Sequence, residues 1–366
     1  MIKYYMINVI CYFPFPLSKD KSRGSAIRPL RMVEAFKSIG CHVTVIDGYS
    51  KDRSKKIAQL DVKDIHFVYA ESSTMPLALT DPDHFPRKPC LEYNFFNKLS
   101  SKGVPVYYFY RDIYWRFPEY KQNLSFFKWF PAKVFYWLEL IQMSKVVSKL
   151  YLPSQEMSRY LPVEFEHISS LPPGSIEKDL DLKKHKGNGI LKLLYVGGVS
   201  KPHYDISPLI KLALKFESKL DITICCRSEE WKSFNISSIP KNITIVHSSG
   251  DELDELYLST DLFANIRITS EYLSFAMPIK VFESLGYGVP QITQSGTAQA
   301  NFVESENIGI TYSNEEELFS LVNGILEDKS KLSKLKENCL VARKKHYWNS
   351  RANTIINEYE SQNGKY

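Results

Sequence analysis

Short apolar runs alternate with amphipathic stretches along the chain, and this alternation predicts an α/β protein with parallel sheets. The first run is almost entirely apolar, as is typical of a strand that is buried on both faces. Apolar residues then recur every three or four positions from Ser25 to about Ile39, which predicts a helix. The strands predicted in this half are Tyr5 to Tyr12, Val43 to Ile46, Ile65 to Ala70, Val104 to Tyr110 and Lys149 to Leu152.

The second half repeats the alternation without repeating the sequence. It follows a connection at Ser169 to Gly174 and a polar stretch at Lys183 to Gly189. Helices are predicted at about 204–218, 251–258, 278–286 and within 315–345, and a last amphipathic helix at Tyr347 to Tyr359. The strands predicted here are Leu191 to Val196, Ile222 to Cys226, Ile243 to His247, Leu262 to Ile266 and Val289 to Thr293. Two successive series of this kind predict two Rossmann-like domains.

Composition and charge narrow the class of protein. The 366 residues suffice for two domains, and the net charge of +6 suits a diphosphate or an acidic membrane. A nucleic-acid binder would show a denser basic stripe. No cleavage site follows the apolar first residues, which we interpret as a strand rather than a signal peptide. The six cysteines form no CxxC pair, so we expect no zinc or disulfide framework and a location in the reducing cytoplasm.

The segment Met277 to Ile292 contains the strongest chemical signal. Pro278 suits the first turn of a helix, and Lys280 and Glu283 follow close to the helix start. The free N–H groups and partial positive charge of a helix N-terminus favour a diphosphate, and Lys280 would add a full charge. A carboxylate such as that of Glu283 can accept hydrogen bonds from both ribose hydroxyls. The alternative is an ordinary surface Lys–Glu pair.

This Pro-x-Lys-x-x-Glu stretch resembles the donor-site motif of GT-B glycosyltransferases, especially the family 4-like group. The resemblance implies two Rossmann-like domains with a donor and acceptor cleft between them, and it assigns the ribose-binding glutamate to Glu283. We therefore expect an acceptor domain at 1–172, a nucleotide-sugar domain at 173–345, and a helix at 346–366 that crosses back to the first domain.

Five further positions are candidates for the donor site. Gly197 and Gly198 end a predicted strand and resemble the first loop of the family's C-terminal domain, although the family's arginine is replaced here by Gly198. Simple tight packing would also explain two glycines in such a loop. Candidates for the missing positive charge, besides Lys280, are Lys201, Arg227 and Arg267.

The first half offers a second group of candidates. The loop with Arg23, Gly24 and Arg28 resembles the glycine-rich loop that the family places beside the donor phosphates and acceptor, although a flexible surface loop is an alternative. Asp112 follows a predicted strand, at the carboxyl end of the sheet where ligands bind. If the enzyme inverts, Asp112 is the candidate general base. Its alternative role is to cap the next helix.

Two features of the sequence concern the sugar and the membrane. Many family 4 members have a glutamate eight residues before the ribose-binding one, but Phe275 stands there in this chain, so the sugar identity stays open. The aromatic stretch Phe126 to Val147 contains several lysines. It fits either a buried helix or a peripheral helix at the inner face of the cell membrane.

These patterns predict a glycosyltransferase that uses a nucleotide diphosphate sugar, expected to be UDP-linked, in surface polysaccharide or glycolipid assembly. Lys280 and helix N–H groups would stabilise the leaving diphosphate, so we expect no metal and no cofactor. Retention is expected by analogy with family 4 alone. The alternatives are an epimerase of GT-B shape and a nucleotide-sugar-binding protein without catalysis. The absence of a GxGxxG motif disfavours a dinucleotide oxidoreductase.

Overall fold

The computed structural model describes residues 6–17, 24–122, 124–178, 189–200, 204–234, 238–266, 270–362 and 364. The chain divides into two compact units. Unit 1 comprises Met1–Pro172 and Trp348–Tyr366, and unit 2 comprises Pro173–Tyr347. The last helix of the chain therefore belongs to the same unit as the first strand.

Unit 1 contains a six-stranded parallel sheet in the order β2-β1-β3-β4-β5-β6. Its strands are β1 (Asn8–Tyr12), β2 (His42–Ile46), β3 (Phe67–Glu71), β4 (Val106–Phe109), β5 (Lys149–Leu152) and β6 (Ile168–Ser170). Its helices are α1 (Gly24–Ser38), α2 (Ser50–Ala58), α3 (Leu91–Ser100), α4 (Pro118–Gln122), α5 (Phe126–Met143) and α14 (Trp348–Gln362).

The core of unit 1 forms because β1, β3 and β4 are apolar on both faces. All residues of β3 and β4 are buried, and α1 packs on the sheet through Met32, Val33 and Phe36. The inner face of α14 joins the same cluster, where Trp348 and Tyr359 contribute the largest rings. Burial of this much apolar surface is the main term that stabilises the unit.

Unit 2 contains a second six-stranded parallel sheet, in the order β12-β11-β10-β7-β8-β9. Its strands are β7 (Leu191–Val196), β8 (Leu220–Cys225), β9 (Ile243–Val246), β10 (Leu262–Asn265), β11 (Gln291–Gln294) and β12 (Gly309–Tyr312). Its helices are α6 (Ser207–Lys215), α7 (Ser228–Ser233), α8 (Glu252–Leu258), α9 (Glu271–Ser274), α10 (Ile279–Gly286), α11 (Ala298–Ser305), α12 (Glu315–Glu327) and α13 (Lys329–Ala342).

The predicted α/β class with two parallel sheets is confirmed, but several elements differ from the expectation. The connection predicted at Ser169 to Gly174 begins inside β6, and β12 was not predicted at all. Helix α1 begins at Gly24 rather than Ser25 and ends at Ser38, and Pro29 lies inside it. Pro278 is the residue before α10 and not part of it.

Helix α5 has one buried face and one exposed face, so the interpretation as a wholly buried helix describes only half of it. Among the described residues, no helix is both long and apolar enough to cross a lipid bilayer.

Candidate functional site

Helix α10 starts directly after Pro278, where the backbone changes from extended to helical. This residue has φ −69° and ψ 142°, and its side chain offers no capping group. Val281, Phe282 and Leu285 anchor the inner face of α10 in the core of unit 2. The first turn of the helix therefore presents its N–H groups and the partly exposed Lys280 on one side.

Lys280 and Glu283 form an ion pair at this end of the helix. The Lys280 Nζ lies 2.9 Å from the Glu283 Oε2, and both side chains are partly exposed. The Tyr257 hydroxyl donates to the same Oε2 at 3.3 Å. Within the described part of the chain, Oε1 of Glu283 has no hydrogen-bond partner, so this oxygen can accept from a ligand.

Tyr257 holds the Glu283 carboxylate in place through this hydrogen bond. The sequence pattern did not predict this role of Tyr257. Its ring is buried and stacks on the Tyr287 ring, with centroids 5.0 Å apart and an angle of 10° between the planes. Burial, with a smaller contribution from Glu283, raises the pKa of Tyr257 well above its usual range. The hydroxyl therefore stays protonated and acts as a donor. The Tyr287 hydroxyl in turn donates to Asp254, which pairs with Lys178.

The carboxyl end of β8 lies near Lys280. Cys225, the last residue of β8, packs in one hydrophobic cluster with Tyr257, whose hydroxyl contacts Glu283 on the same helix as Lys280. The start of α10 is thus at the edge of the parallel sheet where ligands of open α/β folds bind. Arg227 follows at the same edge, and it is exposed where it precedes α7.

The glycine loop after β7 is held by a carboxylate. The Gly197 N–H donates to the Cys225 carbonyl at 3.0 Å. Glu230 Oε1 accepts from the N–H of Val199 at 2.9 Å and from that of Ser200 at 3.2 Å. The two amides that a phosphate could use are therefore occupied by an internal anion, which is a partner that the sequence pattern did not reveal.

Gly198 has no room for a side chain. A Cβ atom at this position would lie 2.5 Å from the Tyr204 ring and 2.8 Å from the Glu230 Oε1. A side chain at position 198 would therefore require Tyr204 and Glu230 to move. Two of the candidate replacements for the charge of the family's arginine, Lys201 and Arg267, lie outside the described residues.

In unit 1, Arg28 is buried beside an internal anion. Its Nε lies 3.3 Å from the Glu71 Oε1, and its guanidinium lies 3.5 Å above the Phe109 ring. Arg111 pairs with the other oxygen of Glu71 at 3.0 Å. Gly24 is the first residue of α1, and Arg23 lies outside the described residues. Two arginines share one carboxylate here, at the carboxyl end of β3.

Asp112 has a local structural contact. Its Oδ1 accepts from the Tyr114 N–H at 3.0 Å, at the start of the 3-10 turn Tyr114–Arg116. This is a contact of the Asx-turn type, and the N-cap residue of the 3-10 turn is Ile113. A catalytic role of this carboxylate remains a prediction.

Comparison with known proteins assigns the class. Residues 209–357 match the glycosyl transferase-like family model, and no curated protein matches the chain significantly by sequence. The Anabaena protein HepE, solved in complex with UDP, is 13% identical, with a TM-score of 0.64 over 98% of this chain and 100% of HepE. Sucrose-phosphate synthase from Thermosynechococcus elongatus is 11% identical, with a TM-score of 0.64 over 98% and 100%.

WaaG, described as a glycosyltransferase involved in lipopolysaccharide biosynthesis, is 14% identical, with a TM-score of 0.55 over 95% of this chain and 98% of WaaG. These similarities extend over both units and show the fold, and the family match adds the enzyme class. The chain is therefore a glycosyltransferase of GT-B fold, with a glycosyl transferase-like domain at residues 209–357.

Proposed function

We propose that the chain transfers a sugar from a UDP-sugar to a glycan or lipid-linked acceptor in surface polysaccharide or glycolipid assembly. One observation carries the proposal: Glu283 is fixed by Lys280 and Tyr257 through one oxygen, while its other oxygen has no partner among the described residues. That arrangement suits a ribose, whose two neighbouring hydroxyls can both donate to a carboxylate. HepE, which shares the fold, was solved with UDP.

In the proposed reaction, the bond between the sugar and the diphosphate breaks, and negative charge develops on the departing UDP. Lys280 and the N–H groups at the start of α10 would stabilise that charge. Because these groups belong to the protein, the proposal requires no metal ion or cofactor. Activity that survives chelation by EDTA would support this part, and activity that returns only with a divalent cation would contradict it.

The proposal includes retention of configuration, which rests on the resemblance to family 4. Product analysis by NMR of the anomeric proton tests it directly. An inverted product would instead favour Asp112 as general base, since inversion needs a group that deprotonates the acceptor hydroxyl.

The donor site is tested by titrating UDP into the protein by calorimetry. Glu283→Ala should weaken binding by about 10- to 100-fold, because hydrogen bonds to a charged group contribute about 1.5–3 kcal/mol. Glu315→Ala is the matched control, since Glu315 is also an ion-paired glutamate on a helix of unit 2. Equal UDP affinity in the wild-type protein and the Glu283 variant would overturn the assignment.

Transfer itself needs a second measurement. A panel of acceptors with UDP-sugars should yield product that depends on the acceptor. Turnover of UDP-sugar to an isomer without any acceptor would instead identify an epimerase, and binding without turnover would identify a non-catalytic protein.

The proposal also places the enzyme in the cytoplasm, at the inner face of the cell membrane, where a lipid-linked acceptor would be found. Exposed aromatic side chains and lysines on α5 support this location.

A further inference from the structure

A stripe of apolar side chains on α5 faces solvent along almost the whole helix. Phe127 is 87% exposed, Phe126 60% and Phe130 52%, and the stripe continues through Val134 and Ile141. From Phe127 onward these residues are three, four and seven positions apart, so they share one face of the helix. The opposite face is buried through Ala132, Tyr136, Glu139, Leu140 and Met143.

The stripe is about 21 Å long, because 14 residues separate Phe127 from Ile141 and each adds about 1.5 Å. Phe126 and Phe130 stack on each other, with ring centroids 5.7 Å apart and an angle of 19° between the planes. Large aromatic rings exposed side by side are unusual on the free surface of a globular protein. This aromatic stripe therefore indicates a surface that binds a partner.

Apart from one buried glutamate, the charged residues of α5 are lysines. Helix α5 contains three charged residues, Lys128, Lys133 and Glu139, and the glutamate is buried on the opposite face. At about 100° per residue, Lys128 and Lys133 fall on opposite flanks of the stripe. Lys121 before the helix and Lys145 after it are both exposed.

Two of these lysines are also placed against an aromatic ring. The Nζ atoms of Lys121 and Lys133 lie 5.2 Å and 5.0 Å from the centroid of the Trp129 ring. Such a combination of a large apolar ring with an ammonium group at its edge suits the boundary between lipid headgroups and acyl chains.

We propose that the aromatic stripe of α5 docks on the surface of a bilayer that contains anionic lipids. The helix would lie in the plane of the membrane, with the phenylalanine rings among the headgroups and the lysines on both flanks paired with lipid phosphates. A protein partner fits less well, because lysine is depleted in protein interfaces. Docking of this kind would bring the enzyme to a lipid-linked acceptor. Only this biological purpose of the docking rests on the proposed function.

Vesicle flotation tests the docking with the full chain. The wild-type protein should float with vesicles of phosphatidylcholine that contain about 30% phosphatidylglycerol, and should bind pure phosphatidylcholine vesicles much more weakly. The double variant Phe127→Ser, Phe130→Ser should lose at least about tenfold in partitioning, since burial of even part of each ring in the membrane favours binding. Leu214→Ser is the matched control, because Leu214 is 64% exposed on α6 of unit 2.

A separate double variant tests the contribution of the lysines to membrane binding. Lys128→Gln, Lys133→Gln should weaken binding to the anionic vesicles by about fivefold for each lysine, and the loss should shrink at high salt. Lys51→Gln, Lys102→Gln is the control, since both lysines are exposed elsewhere in unit 1. Unchanged flotation of the phenylalanine or lysine variants, or no binding of the wild-type protein, would overturn the proposal.

Thermal unfolding and UDP affinity distinguish a loss of membrane binding from a loss of folding or of donor binding. All variants should retain the wild-type midpoint of thermal unfolding, because the replaced side chains are largely solvent-exposed, and should retain the wild-type affinity for UDP. A wild-type chain that dimerises by light scattering, loses dimerisation in the phenylalanine variant and ignores vesicles would show an interface between copies instead. Vesicle binding without any UDP binding would leave the docking surface intact and refute the proposed function.

Discussion

Replacement of Glu139 by glutamine should make unit 1 more stable at alkaline pH and leave it nearly unchanged at pH 5. Glu139 lies on the buried face of α5, where its Oε2 accepts from the Leu77 N–H and its Oε1 accepts from the Tyr108 hydroxyl, both at 2.8 Å. Burial raises the pKa of this carboxyl from 4.5 to about 8. The two hydrogen bonds act in the opposite direction without compensating for the burial.

The sign of the effect follows from proton binding. Below about pH 4.5 the carboxyl is protonated in both the folded and the unfolded chain. Between about pH 4.5 and pH 8 the unfolded chain loses the proton while the folded chain keeps it, so the free energy of unfolding falls as pH rises. At about 1.36 kcal/mol per pH unit, the whole interval corresponds to about 5 kcal/mol. Relaxation around a charged Glu139 makes this an upper value.

Urea unfolding at pH 5, 6, 7 and 8 measures this difference. Tryptophan fluorescence is the suitable signal, because four of the five tryptophans belong to unit 1: Trp115, Trp129, Trp137 and Trp348. The glutamine variant should match the wild-type protein at pH 5 within about 1 kcal/mol and exceed it at pH 8 by about 2–5 kcal/mol. Because the two proteins share all other titrating groups, the difference between their free energies of unfolding reports on Glu139 alone.

Glu166→Gln is the control, since that side chain is 90% exposed and its replacement should leave the pH dependence of stability unchanged. The reasoning is refuted if the Glu139 variant and the wild-type protein lose stability in parallel from pH 5 to pH 8. That result would mean that the folded protein keeps the carboxylate ionised, through water or a shift of the Tyr108 hydroxyl.

Two further predictions concern the donor site. Tyr257→Phe removes the hydroxyl that supports Glu283 and should weaken UMP and UDP binding equally, by about three- to tenfold in calorimetry, because both ligands contain the ribose; a loss confined to UDP would contradict this role. Glu230→Gln keeps an acceptor for the amides of Val199 and Ser200 but removes a negative charge, so UDP should bind about fivefold more tightly if its phosphates lie at the glycine loop. Unchanged affinity would place the phosphates elsewhere.

Strands with a strong local signal could be predicted from the sequence to within a few residues. Leu191–Val196 and Lys149–Leu152 have the predicted bounds, since each is a short, mostly apolar run that is followed by a turn-forming residue, Gly197 or Pro153. Two strands at sheet edges were missed or misinterpreted. Ile168–Ser170 is only three residues long and partly polar, and Gly309–Tyr312 is mostly half-buried, so neither shows the continuous apolar run of a central strand.

The candidate site could be predicted only where its residues are neighbours in sequence. Lys280 and Glu283 form a visible motif because one helical turn brings them together. Tyr257 reaches Glu283 across 26 residues, and Glu230 reaches the amide of Val199 across 31. Such contacts depend on the order of strands in the sheet, which the sequence pattern does not specify. The same holds for Arg28 on α1, whose partner Glu71 lies at the end of β3.

The position of α14 has a consequence for the order in which the protein is made. Its residues Trp348, Ile355 and Tyr359 complete the core of unit 1, yet they follow the whole of unit 2 along the chain. During synthesis, unit 2 can therefore fold as soon as it leaves the ribosome. In unit 1, the apolar surface that α14 covers stays exposed until the end of the chain has been made. Until α14 emerges and packs against α1, the first half of the nascent chain is a natural client for chaperones that shield exposed hydrophobic surface.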